Sequence, residues 1–190
     1  MGTPYAYQPH KLFIAVLYAP GLTLETLREV LEECFGAVDS ILDPHPFVHS
    51  TYYDQEMGPC LQRALLSFSL LVDPSGMADF KRTTDALERR FARPALSGEA
   101  GFRRTVNLDP GLLSLSRVML ATTKASAHRV PLCAGYYAEV TLMYRRGRYV
   151  PFEWTYPDYR SEPFLDWLLL VRRSYHSQLR SLDPARPWRL

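Results

Sequence analysis

The stretch YYAEVTLMYRRGRYVPFEW, residues 136–154, constrains the fold of this chain more than any other. Two runs of alternating β-branched and aromatic residues flank Arg145-Arg146-Gly147. A two-residue turn at Arg146-Gly147 predicts a hairpin with one register, because such a turn dictates which residues oppose each other. Tyr144 then faces Tyr149, Met143 faces Val150, Thr141 faces Phe152 and Glu139 faces Trp154. Both faces are largely apolar, so the sheet is expected to be covered on both sides, with Phe152 and Trp154 in the core. Pro151 has no N–H to donate, which predicts an edge strand or a bulge at that point. Glu139 lies among aromatics and must find a partner or shift its pKa. It reads either as an acid, base or ligand clamp in a pocket, or as a structural salt bridge to an arginine.

Periodicity organises the rest. KLFIAVLY (11–18), closed by Pro20-Gly21, reads as a buried strand. Thr23 can cap a helix with Leu24, Leu27, Val30, Leu31 and Cys34 on its stripe, and Gly36 can end it. Residues 37–60 predict one short strand and a long loop. ALLSFSLLV (64–72) is the next strand. Asp73 or Ser75 can cap a second helix, with Met77, Phe80, Thr84, Leu87 and Phe91 on its stripe. A loop is expected over 93–103, then strands at 104–108, 113–122, 129–133, 136–144 and 148–155. Pro163 opens a last helix with Phe164, Trp167, Leu168, Val171, Tyr175 and Leu179 on one face. The order predicts an α+β fold: a ferredoxin-like β-α-β-β-α-β unit extended by an antiparallel β-meander and a C-terminal helix. One domain over 1–190 is expected, with 1–10 and 183–190 as peripheral tails.

Composition limits the function classes. With 190 residues and 47% hydrophobic content, the chain can build a core without staples. A net charge of +2 does not indicate a strongly basic nucleic-acid binder. Cys34, Cys60 and Cys133 form no CxxC pair and suit reduced thiols, with Cys34 expected to be buried as a small hydrophobe. The N-terminus lacks a basic region followed by an apolar one, and no apolar run reaches the roughly 20 residues of a membrane span. A cytoplasmic protein without a membrane partner is expected.

Familiar motifs are few. GxxxxGK[ST] does not occur, and no GxGxxG follows a strand. Thr122-Thr123-Lys124 is similar to the base-reading corner of a GTPase, but Ser126 stands where an acid is expected. His49-Ser50-Thr51 matches one HxT tripeptide of the two-histidine phosphoesterases, and His128-Arg129-Val130 lacks the threonine a second would need. Asp43, His45, His49 and Asp54 follow no zinc spacing, so no metal is expected and no cofactor is specified. RRGRYVPF (145–152) is a poor match to an RNA-recognition strand, because Pro151 intrudes.

KLFIAVLY, TYYDQEMG (51–58), LLSFSLLVDP (65–74), VNLDPGLLSLSRVMLATTK (106–124) and HRVPLCAGYYAEVTLMYRRGRYVPFEWTYPDYRS (128–161) together resemble a bacterial family catalogued as domain of unknown function 4416. The resemblance spans nearly the whole chain. It implies a single-domain bacterial protein and no activity. Members are sometimes labelled GTP-binding, which fits poorly with the missing P-loop. The family pattern places an aspartate after TTK, and here Ala125 stands in its place.

Candidate site residues come from polar groups beside aromatics in irregular segments. The chain has 22 basic residues and only three are lysines, Lys11, Lys81 and Lys124. Lysine suits a compact phosphate contact. The expected site binds an anionic or phosphorylated small molecule. Thr122, Thr123, Lys124 and His128 form one wall, Glu139, Trp154, Tyr156, Asp158, Tyr159 and Arg160 another, and Tyr52, Tyr53 and Glu56 close it. Lys124 and Arg160 would hold the anion, and Glu139 or His128 would move a proton if the site is catalytic. Two alternatives are an RNA- or protein-binding module using Arg145, Arg146 and Arg148 at the hairpin tip, and a homodimer that buries the aromatic hairpin.

Overall fold

A computed structural model of the chain describes residues 7–94 and 101–182. Its main body is an eight-stranded antiparallel sheet covered on both faces. The strands are β1 (His10–Tyr18), β2 (Val38–Pro46), β3 (Gln62–Val72), β6 (Val106–Leu113), β7 (Arg117–Thr122), β8 (Val130–Cys133), β9 (Tyr136–Arg145) and β10 (Arg148–Pro151). A separate two-stranded ladder joins β4 (Arg93–Pro94) to β5 (Phe102–Arg103). The helices are α1 (Leu24–Phe35), the short α2 (Asp54–Met57), α3 (Met77–Phe91) and α4 (Glu162–Leu182). No helix of the described residues is long and apolar enough to cross a membrane.

The main sheet runs β10-β9-β7-β6-β1-β3-β2, with β8 beside β9. Helix α1 links β1 to β2 and α3 links β3 to β6, so each helix joins strands that are not neighbours. Alternation along β1 divides the core into two halves. Leu12, Ile14 and Val16 pack with Leu27 and Leu31 of α1 and Met77 and Leu87 of α3. Phe13 and Ala15 point the other way, against Trp167, Leu168 and Val171 of α4. Each such aliphatic side chain contributes about 1.5–3 kcal/mol on full burial. A strand buried on both faces must read as an unbroken apolar run, which is what LFIAVLY (12–18) is, while the buried Lys11 before it is paired with Asp39.

Local signals place the helix ends. The Thr23 hydroxyl accepts the Thr26 N–H at 3.2 Å. Gly36 donates to Glu32 O at a φ of 86°, which glycine adopts without strain. Asp73 caps the 3-10 turn Pro74–Gly76, accepting the Ser75 N–H at 2.8 Å, and α3 follows from Gly76 with no side-chain cap of its own. Cys34 is exposed rather than buried, because the inward stripe runs through Leu27, Leu31 and Phe35, whose ring packs on Phe68 and Phe80.

Several expected boundaries are corrected. His10 belongs to β1 rather than to a tail, and the tails at 1–6 and 183–190 lie outside the described residues. The expected loop 93–103 carries the β4–β5 ladder at its ends, and 95–100 also lie outside. Segment 37–60 holds a nine-residue strand and α2. Asp109-Pro110-Gly111 does not divide two strands but lies inside β6. Gly111 is needed there because the Phe13 ring lies over it: a Cβ would fall 2.2 Å from a ring carbon. Pro110 is tolerated because alternation in the β1–β6 ladder points its nitrogen away from β1.

The hairpin keeps its expected register as far as Tyr149 opposite Tyr144, Val150 opposite Met143 and Pro151 opposite Leu142. Its turn uses Arg146 and Gly147 at positive φ. Strand β10 lies at the sheet edge and stops at Pro151, so Phe152 and Trp154 do not oppose Thr141 and Glu139. Trp154 is 37% exposed. Side chains finish the ladder instead: the Trp154 indole donates to Val140 O at 2.9 Å, and the Thr155 hydroxyl donates to Thr141 O.

Candidate functional site

The cleft arises from a split in the sheet. Strands β6 and β7 pair only over Gly111–Leu113 and Val118–Leu120. Beyond that, β6 continues along β1 to Val106 while β7 follows β9 to Thr122. The backbone of Leu108 therefore lacks a β7 partner, and α3 supplies side chains in its place. Lys81 Nζ donates to Leu108 O at 3.0 Å, and the Leu108 N–H donates to Glu88 Oε1 at 2.7 Å. Unpaired buried backbone groups are costly, which explains a lysine and a glutamate on the inner side of α3. Lys81 also lies 3.0 Å from Asp85, so neither sign is left alone.

A cleft of about 690 Å³ opens in this split. Residues from β6, β7, β9, α3, the 47–56 segment and the turn before α4 line it. The register places Leu17, Arg63 and Asn107 on one face of the sheet, with Ala15, Leu65 and Asp109 on that same face two residues along. This is the face that α4 covers lower down; here the 3-10 turn Asp158–Arg160 covers it.

Arg63 dominates the floor. Its side chain is 4% exposed, and Nη2 donates to Asp158 Oδ2 at 2.6 Å. Its Nε and Nη1 are buried and have no partner among the described residues. The Tyr159 hydroxyl beside it is likewise buried and unpartnered. Burial, then the charge of Asp109, push the Tyr159 hydroxyl well above its ordinary pKa, so it stays a protonated donor. Burial pulls the Arg63 guanidinium down, but the charges around it, Asp158 first and Asp109 with it, leave the pKa raised. Three buried donors thus have no acceptor among the described residues, and the Arg63 guanidinium lies 5.2 Å from the centre of the Phe47 ring.

The lining carboxylates are otherwise engaged. Glu56 accepts from Arg104 at 2.6 Å, Glu88 from Arg104 at 3.2 Å and Glu139 from Arg129 at 2.7 Å. Asp109 differs. It accepts from the Asn107 amide at 2.6 Å, and its other oxygen is 3.9 Å from Lys81 Nζ.

At the mouth, Lys124 Nζ donates to Tyr52 OH at 3.0 Å and lies 4.6 Å from that ring's centre. The bond from Lys124 lowers the Tyr52 pKa, because it favours the phenolate. Lys124 makes no ion pair among the described residues.

Of the residues selected from the sequence, Thr122, Thr123, Lys124, Glu139, Tyr156, Asp158, Tyr159, Tyr52, Tyr53 and Glu56 all line this one cleft. Glu139 is paired to an arginine, and the Thr141 hydroxyl donates to it as well, at 3.3 Å. His128, Trp154 and Arg160 do not line the cleft. His128 stacks on Trp154 with ring centres 4.9 Å apart, and its Nε2 is 3.2 Å from Glu139 Oε2, behind the wall. Arg160 spends its donors on the carbonyls of Thr155, Phe152 and Glu153 at 2.8 Å each, and so clamps the chain leaving β10. Arg63, Asp109 and Arg129 were missed. Asp109 was hidden in an apparent turn, and Arg63 was simply the charge at the head of an apolar strand. Among the described residues no group of three His, Cys, Asp or Glu is placed to hold a metal ion.

A model of the family described as Domain of unknown function (DUF4416) matches residues 8–175. No curated protein and no solved structure matches the chain.

Proposed function

We propose that this chain, which belongs to the family described as Domain of unknown function (DUF4416), binds a small anionic ligand, phosphate- or carboxylate-bearing, in the split of its sheet. The observation that carries this reading is the trio of buried donors without acceptors, Arg63 Nε, Arg63 Nη1 and Tyr159 OH. An oxyanion is an acceptor that buried guanidinium N–H and hydroxyl donors can use. A cleft of about 690 Å³ lies in the roughly 300–1,000 Å³ range of organic ligand sites. Lys124 at the mouth supplies a further cation. An acid–base step in this cleft would fall to Glu139, with His128 behind it.

The test uses Tyr159→Phe, which deletes a buried hydroxyl that has no partner among the described residues. Thermal shift is measured with phosphate, citrate and a panel of sugar phosphates. A ligand of the folded state at a hundredfold its Kd stabilises by about 2.7 kcal/mol. The wild type is expected to gain Tm with at least one oxyanion. Tyr159→Phe is expected to start with a higher Tm, by about 1 kcal/mol or more in stability, yet to bind about tenfold more weakly. A panel that leaves the wild-type Tm unmoved, or a Tyr159→Phe shift equal to wild type, contradicts the reading.

A second reading rests on Arg145, Arg146 and Arg148, which stand exposed at the hairpin tip with no carboxylate partner among the described residues. It expects salt-sensitive RNA binding that is lost on charge reversal there.

A further inference from the structure

We infer that the ligand is bipolar: beside its acid group it carries a hydroxyl or ammonium donor, and Asp109 is the residue that reads it. This rests on the anion reading above. Among the described residues, Asp109 takes a hydrogen bond from the neutral Asn107 amide and none from a cation, the nearest being Lys81 Nζ at 3.9 Å. It shares a face of the sheet with Arg63, with β1 between their strands. Its charge is felt across the cleft floor: burial raises the pKa of Tyr53 and of Tyr159 and Asp109 adds to both, while for Lys81 burial lowers the pKa and Asp109 opposes it.

A simple anion seated on Arg63 would meet that charge as a repulsion. A ligand with a hydroxyl or ammonium group on the Asp109 side converts the same charge into an acceptor. Strands two apart in a sheet lie about 9–10 Å from each other, so a short carbon chain must separate the two ligand groups. The cleft volume agrees, being far larger than one inorganic anion requires. Short-chain hydroxy or amino acids and their phosphates, such as small sugar phosphates, have this chemistry. Asp109 acts here by selecting among ligands, and Arg63 with Tyr159 by holding the acid group.

The experiment compares propyl phosphate, glycerol 3-phosphate and 2-aminoethyl phosphate by calorimetric titration, on wild type, Asp109→Asn and Asp109→Ala. Thermal melts establish that each variant is folded, and either variant alone suffices. Wild type is expected to bind a hydroxyl- or amino-bearing phosphate at least about tenfold tighter than propyl phosphate, the worth of one charge-assisted hydrogen bond. The Asp109 variants are expected to lose that preference while binding propyl phosphate as well as or better than wild type, because a like charge is gone. Equal wild-type affinities for the three phosphates overturn the inference but leave the anion reading in place. So does an Asp109 variant that weakens all three alike. If none of the three binds wild type, this inference falls, and the anion reading falls with it when the phosphate, citrate and sugar-phosphate panel also leaves the wild-type Tm unmoved.

Discussion

Tyr159 and Arg63 show how a side chain can be fully packed and still unsatisfied. Tyr159 is 2% exposed and packs its ring on Phe164, so its apolar body belongs to the core while its buried hydroxyl has no partner among the described residues. Arg63 is held the same way by one carboxylate. Removing that partner leaves a buried charge alone, so Asp158→Ala is expected to cost about 3–5 kcal/mol in urea unfolding. A loss below about 1 kcal/mol would mean that the pair is open to water. Lys124 and Tyr52 make a separate prediction at the mouth. Because Lys124 holds the Tyr52 pKa down, this phenol should ionise before the buried tyrosines in an ultraviolet titration. Lys124→Ala should move that first transition to higher pH, and an unchanged curve would contradict the contact. At this scale the sequence was partly legible. Tyr52, Lys124, Asp158 and Tyr159 could be chosen as polar and aromatic groups in irregular segments. Arg160 could be chosen for the same reason, but nothing in the sequence tells a ligand-binding arginine from one that gathers three backbone carbonyls.

At the scale of elements, strands β6 and β10 show where local reading stops. Asp109-Pro110-Gly111 has turn residues in turn order, and the β1 face overrides them. Gly111→Ala should destabilise the chain by about 3 kcal/mol or more, since the methyl would enter the buried Phe13 ring. The loss should be largely recovered with Phe13→Leu in the same chain, which removes the ring from the clash. A Gly111→Ala melt equal to wild type would contradict the packing. In β10 the edge position was legible from Pro151, while the chain beyond it was not. Once the ladder ends, Trp154 and Thr155 reach back to the free carbonyls of β9, and period-two alternation no longer describes the segment. The helix stripes were mostly legible because 3.6-residue spacing survives tertiary context; the six apolar positions chosen on α4 are all buried, while Cys34 on α1 faces out. On α3 the same pattern concealed Lys81 and Glu88. They are buried because a strand is missing beside β6, and a helix's own sequence carries no trace of a gap in the sheet it covers.

For the whole molecule, the α+β class and the covering of the sheet on both faces were legible, because KLFIAVLY and the two-faced hairpin leave few other ways to bury their side chains. The cleft was not legible as a place. It exists because β7 follows β9 away from β6, and that divergence depends on contacts far apart in the chain. Broken ladders expose backbone and admit side chains from both faces at once, which is why charged groups from α3 and from the α4 side meet in one volume. The account's central claim is that this volume seats an oxyanion on Arg63 and Tyr159. The most direct measurement is a crystal structure grown with glycerol 3-phosphate. The account predicts phosphate oxygens within hydrogen-bond reach of Tyr159 OH and of an Arg63 N–H not taken by Asp158, with a glycerol hydroxyl donating to Asp109. Phosphate bound instead at the Arg145–Arg148 tip, with only water against Arg63, would contradict it.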